Sequence, residues 1–174
     1  MVNEVLEFWF SEVGSSGWYR LSEVLDETIR NRFESVLKNV IAGETAHWRD
    51  TPEGRLAEII VLDQFSRNMY RGTPDAFATD ALALILAQEA VRNKADQRLE
   101  EPQRSFLYMP YMHSESTKIH KTAAILFKST NNLRSELRHK EIIDQFGRYP
   151  HRNQILKRQS TVEEVRWLEK NKGF

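Results

Sequence analysis

TPEGRLAEIIVLDQFSRNMYRGTPD, residues 51–75, carries the signals that decide the fold class. At its head, Thr51-Pro52-Glu53 offers a hydroxyl to cap a helix, a proline whose missing N–H is harmless in the first turn, and an acid against the positive helix end. Thr73-Pro74-Asp75 at its tail repeats the arrangement, so a helix with a threonine N-cap is predicted to start at each. Between them the apolar run Ile59-Ile60-Val61-Leu62 leads into Asp63-Gln64-Phe65-Ser66-Arg67. The pattern Asp-Gln-Phe-x-Arg returns at 144–148, after Ile142-Ile143, and both copies reach a proline within a few residues. A core-facing helix is expected to end at each copy.

Helical spacing continues outward from this stretch. Leu25, Ile29, Phe33, Val36, Leu37 and Val40 recur at three and four and share one face, and no alternating strand pattern occurs. Gly43 stands where a left-handed C-cap is wanted, and Ser160-x-x-Glu163 reads as a capping box. Helices are predicted near 2–12, 22–41, 52–67, 74–94, 101–111, 115–129, 133–146, 150–157 and 161–170. The fold class is all-α, an irregular array of about eight or nine helices stacked as antiparallel pairs. Connections are short and no Pro-, Gly- or Ser-rich linker interrupts residues 1–174, so a single domain is expected. The two Asp-Gln-Phe-x-Arg copies lie 81 residues apart, too far for one tetratricopeptide unit, and no 34-residue period is visible.

Composition removes several function classes. Lys plus Arg balances Asp plus Glu at 25 each, leaving no bulk field for nucleic acid or anionic membrane, so neither partner is expected. The absence of cysteine removes disulfides, thiolate metal sites and thiol catalysis, and fits a reducing compartment. MVNEVLEFWF carries acids where a signal peptide would carry Lys or Arg, and the longest apolar run, Ala81 to Ala87, is far short of a bilayer span. A soluble, cytoplasmic protein is expected. No feature of the chain points to a particular oligomeric state.

Three polar islands carry the chemistry. In each copy of the echo Asp and Arg are four apart, Asp63 with Arg67 and Asp144 with Arg148, which on a helix allows an ion pair worth roughly 0.2–0.5 kcal/mol. An ion pair needs none of the surroundings: Asn68 and Arg71 come after the first copy, His151, Arg152 and Asn153 after the second, and Tyr70 and Tyr149 add flat faces. Helix starts at Pro74 and Pro150 offer free N–H groups which, beside guanidinium groups, suit a phosphate or carboxylate. The third island is Met112-His113-Ser114-Glu115. It reads either as an N-cap serine with an acid in the first turn, or as a general acid/base histidine, His113, oriented by Glu115. No H-E-x-x-H spacing, G-x-G-x-x-G, P-loop or G-x-S-x-G is present, so no metal and no cofactor is expected. Phe8, Trp9, Phe10, Phe77 and Trp167 are expected in the core, and Trp48, between His47 and Arg49, is expected to lid a pocket.

TPEGRLAEIIVLDQFSRNMYRGTPDAFATDALAL, FLYMPYMHSE and FGRYPHRNQILKRQSTVEE, in that order, resemble the bacterial proteins grouped as domain of unknown function 924. The resemblance runs over nearly the whole chain. It implies an all-α domain of the tetratricopeptide-like superfamily and brings no established reaction. Its motifs fall on Asp63, Gln64, Phe65, Arg67, Asn68, Tyr70, Arg71, Gly72, Thr73 and Pro74, on His113, Ser114 and Glu115, and on Arg148, Pro150, His151, Arg152 and Asn153. Two departures stand out: the family typically has proline where this chain has Ser66, and an acid where it has Ser116. A backbone shaped for that proline would stop the helix near Phe65 and separate Asp63 from Arg67.

The expected function is a polar pocket for a small anionic metabolite. Arg67, Asn68, Tyr70, Arg71, Arg148, His151, Arg152 and Asn153 would bind it, Asp63 and Asp144 would hold the arginines, and His113 with Glu115 would form the catalytic pair if a reaction occurs. The alternative is a tetratricopeptide-like scaffold in which the same basic residues grip an acidic or C-terminal peptide. Both readings require the two echoes and His113 to meet.

Overall fold

A computed structural model of the chain describes residues 1–171, and among them there is no β-strand. The apolar stripe in the first third forms α3 (Glu23–Ile41), which buries Ile29, Phe33, Val36, Leu37 and Val40. Its N-terminus is capped by the Ser22 hydroxyl, which accepts from the Leu25 amide at 3.3 Å. Its C-terminus turns at Gly43, whose φ of +76° a side chain would resist, while the amides of Gly43 and Glu44 return to the carbonyls of Val40 and Asn39, both at 3.0 Å. Before it, α1 (Val2–Glu7) continues through a π-helical segment, Phe8–Val13, into the short α2 (Gly14–Gly17).

The central element is α4 (Pro52–Ile60), capped as expected by Thr51, whose hydroxyl accepts from the Gly54 amide at 3.0 Å. It does not stop at the Asp-Gln-Phe-x-Arg pattern. It passes through a π-helical turn, Val61–Phe65, into α5 (Ser66–Met69). With serine rather than proline at 66, the backbone stays helical and the Ser66 hydroxyl donates to the Leu62 carbonyl. Asp63 and Arg67 are therefore helical neighbours, contrary to the geometry a proline would impose. Phe65 is fully buried, with Phe8 and Trp9 at ring-centroid distances of 5.8 and 5.7 Å.

Thr73 stands at the N-cap position of a short 3-10 turn only, and its side chain makes no cap bond. Its hydroxyl donates back to the Tyr70 carbonyl at 2.8 Å, Pro74–Phe77 forms a 3-10 turn, and the helix expected over 74–94 begins only at α6 (Asp80–Arg92). A hydroxyl committed to the preceding carbonyl leaves the next helix to start further on. Then come α7 (Gln103–Met112), buried from Ser105 to Met112, and α8 (Thr117–Leu126), whose Ser116 cap accepts from the Ile119 amide at 3.4 Å. The last two helices are α9 (Leu133–Phe146) and α10 (Val162–Lys170). The capping box of α10 uses Thr161 and Glu164, one residue beyond the predicted pair. Residues 150–157 are not an α-helix: a 3-10 turn, Pro150–Arg152, gives way to turns.

The core lies where α4 packs against α1, α6 and α7, and α3 packs on the π-turn and α5. On the other side α7 packs on α8 and α8 on α9, and a smaller apolar cluster gathers Ile142, Ile143 and Tyr149 with Phe146 and Trp167. Trp48, expected as a lid, is buried in the main core. Among the described residues no helix is long and apolar enough to cross a membrane.

The two threonines should separate on mutation. Thr51→Ala should cost about 1 kcal/mol, and Thr73→Ala a few tenths, in urea midpoints. Gly54→Ala should cost more, on the order of 1–3 kcal/mol, because a Cβ there would lie 1.9 Å from the Trp48 carbonyl oxygen. Equal losses at Thr51 and Thr73 would refute the cap assignment.

Candidate functional site

The π-turn buries a carboxylate: the Asp63 side chain is 1% exposed. Both its oxygens are engaged, Oδ1 by His113 Nδ1 at 2.8 Å and by Arg67 Nη1 at 3.1 Å, and Oδ2 by Gln64 Nε2 at 2.6 Å. Burial alone would raise this carboxyl, but the Arg67 guanidinium and then the His113 ring outweigh it and hold it below the usual carboxylate range. Arg67 also donates from Nη1 to the Asp63 carbonyl at 2.7 Å and from Nη2 to Asp80 Oδ2 at 2.9 Å. Asp80, in the first turn of α6, accepts a second guanidinium, Arg152 Nη1 at 3.2 Å. Arg152 Nη2 donates to the His113 carbonyl at 3.0 Å, and the Arg152 guanidinium carbon lies 4.6 Å from the ring centroids of both Phe77 and Tyr149. A charged chain thus runs from the α4–α5 helix through α6 to the turn before α10.

One face of this chain lines a cleft of about 300 Å³. Arg67, Arg71 and Arg152 supply its cationic wall, and His113, His139 and His151 stand with them beside Phe77 and Tyr149. His113, its Nδ1 held by Asp63, is among the residues that line the cleft. His139, half-buried on α9, donates Nδ1–H to the Ser135 carbonyl at 2.8 Å, and its ring centroid lies 6.4 Å from that of His113. Burial lowers His139 to about 3, against the Ser135 bond, and lowers His151 to about 4, with the Arg152 charge acting in the same direction. Both rings are neutral at pH 7. Burial raises the Tyr149 phenol, which donates to the Met112 carbonyl.

Five predicted site residues meet here: Arg67, Arg71, His113, His151 and Arg152 line the cleft, with Asp63 directly behind. The others do not reach it. Arg148 points away, its guanidinium on Glu164 at 2.6 Å and on the Gln159 carbonyl at 2.8 Å, and Asp144, expected to hold it, is exposed and paired with Lys140. The two echoes differ because Ser66 continues the first helix whereas Gly147, at φ +69°, ends α9 and redirects the chain. Glu115 does not orient His113. It takes two bonds from Arg158, at 2.6 and 3.0 Å, and one from the Tyr149 amide at 2.8 Å. Asn68 donates to Asp26 at 2.8 Å, Tyr70 leans toward Glu34, and buried Asn153 ties Ser160, Glu164 and Arg158 together.

Sequence reading misses four participants. Phe77, expected in the core, stands half-buried under two guanidinium groups. Asp80 falls inside the helix expected over 74–94 with nothing to single it out, and Arg158, which holds Glu115 outside the cleft, stands beside Lys157 with no signal of its own. His139 has a usable signal, since it lies three and four residues from Ile142 and Ile143 and so shares their inward face. Among the described residues no group of three or more His, Asp or Glu side chains is placed to hold a metal ion.

A family model described as bacterial protein of unknown function, DUF924, matches residues 5–172. The chain is similar to a solved structure of a protein of unknown function from Agrobacterium tumefaciens, at 34% identity and a TM-score of 0.93, covering 98% of this chain and 97% of that one. No curated protein matches.

The depressed histidines make stability pH-dependent. Below the unfolded histidine pKa of about 6.5 the unfolded chain binds protons that His139 and His151 refuse until about 3 and 4, so stability falls as pH drops from 7 to 5. The loss should be on the order of 1 kcal/mol for each ring after allowing for partial exposure, and His139→Gln should flatten the slope. A urea midpoint that rises between pH 7 and pH 5 would overturn the assignment.

Proposed function

The chain belongs to the DUF924 family of bacterial proteins of unknown function, and from that footing and the geometry of its cleft we propose that it binds a small anionic metabolite and moves a proton on it through His113. The observation that carries this reading is the 2.8 Å contact between His113 Nδ1 and a buried Asp63 carboxylate that Arg67 keeps ionised. A carboxylate that accepts from Nδ1–H fixes the tautomer in which Nε2 carries no proton and can accept one. Arg67, Arg71 and Arg152 supply charged donors for a carboxylate or phosphate beside it. Asp63 is then a positioning residue, and Glu115 serves only to shape the neighbouring turn.

A cleft of about 300 Å³ has the capacity of a small-ligand site, which favours a metabolite over a gripped peptide. The cysteine-free composition keeps the cytoplasm as the proposed setting.

Thermal-shift screening of carboxylated and phosphorylated metabolites should find ligands that add about 2.7 kcal/mol at a hundred times their dissociation constant. Arg71→Gln gives up a cleft guanidinium and, for the fold, only the partly exposed pair with Asp26; it should weaken binding about tenfold. His113→Gln should retain binding and lose turnover of whichever ligand the wild-type protein converts. Stabilisation by no anion in the panel would remove the proposal.

A further inference from the structure

Beside the cationic cleft lies a second groove of about 430 Å³, and the two share Phe77, His113 and Arg152 as a common wall. Apart from that wall, the groove is floored mostly by apolar groups: Pro74, Ala78, Ala81, Leu84, Pro110 and Leu156. Pro74, Ala78 and Ala81 are exposed, and Leu84 and Leu156 half-buried, so this apolar surface is left wet next to the arginines. Two acids also face it, but neither carries free charge, since Asp80 lies between Arg67 and Arg152 and Glu115 is doubly bonded by Arg158.

The charge balance of the cleft narrows the head group. Arg67 faces Asp63 and Asp80, Arg152 shares Asp80, and Arg71 is held by Asp26, so three guanidinium groups stand against three carboxylates. With His139 and His151 neutral at pH 7, little positive charge remains to meet a dianion. A single negative charge suits such a site better than a phosphate dianion.

We propose that cleft and groove form one amphipathic site whose ligand is an aliphatic monocarboxylate, its carboxylate among Arg67, Arg71 and Arg152 and its hydrocarbon chain crossing the Phe77 edge into the groove. The proposal deepens the anion-binding reading and rests on it. His113, on the shared wall, then stands beside the first carbons of the chain as well as the head.

Titration of the folded protein, followed by NMR, with acetate, butyrate, hexanoate and inorganic phosphate tests it. Affinity should climb about fourfold per methylene, making hexanoate more than a hundredfold tighter than acetate. Ala81→Trp, at an exposed position in the first turn of α6, should erase that gain and leave acetate unchanged; Ala78→Phe provides the same block from the preceding turn. Acetate and hexanoate binding equally well would overturn the amphipathic site while leaving anion binding intact, as would phosphate binding tighter than hexanoate. Binding of none of the four anions would overturn both readings.

Discussion

Everything in the cleft depends on keeping Asp63 ionised with almost no water around it. A buried carboxylate is tolerated only where opposite charge and donors replace its hydration. Arg67 and His113 do so here, joined by the neighbouring Gln64 amide. Each of those partners then needs a position of its own. Arg67 finds Asp80 at the head of α6, Asp80 draws in Arg152 from the turn before α10, and Arg152 closes on the carbonyl of His113 at the end of α7. The loop of interactions joins segments that are distant in sequence, and Asp80 is its least replaceable member, since without it Arg152 has no carboxylate partner. The aromatic rings beside Arg152 serve the same end, since they confine a guanidinium whose Nε is buried and makes no hydrogen bond.

Much of the fold is legible because apolar spacing at three and four is a local property, and α3, α4 and α9 lie where that spacing places them. Helix starts are less legible, because a capping residue can be spent elsewhere. Thr51 and Thr73 sit in near-identical sequences, yet one caps a helix and the other bonds back to Tyr70. Only the surrounding chain distinguishes them. The site divides similarly. Residue type is enough to bring forward Arg67, Arg71, His113, His151 and Arg152, but not to separate them from Asn68, Arg148 and Asn153, donors of the same clusters that are spent on structural bonds. Pairing is not legible either, because Glu115 lies two positions from His113 whereas the partner is Asp63, fifty positions back.

The doubled Asp-Gln-Phe-x-Arg pattern shows how one position can reverse the meaning of four others. Serine at the variable place lets the helix run on, so Asp and Arg stay one turn apart and are drawn inward. Glycine there breaks α9 with a left-handed residue, so Asp144 faces solvent and Arg148 turns to Glu164. Likeness of sequence between the copies is therefore not likeness of role.

The π-turn at Val61–Phe65 is in effect an extra residue within one continuous helix, and one residue amounts to about 100° of rotation. The helix therefore keeps one angular frame before the turn and another after it. Residues 52–60 keep the frame that packs on α6 and α7, while residues 63–69 keep a second, which aims Asp63 at His113 and Arg67 at Asp80 and sends Phe65 against Phe33 of α3. Deleting one residue within the turn would merge the frames. The helix would survive, longer and more regular, and the carboxylate on which the cleft is built would face somewhere else.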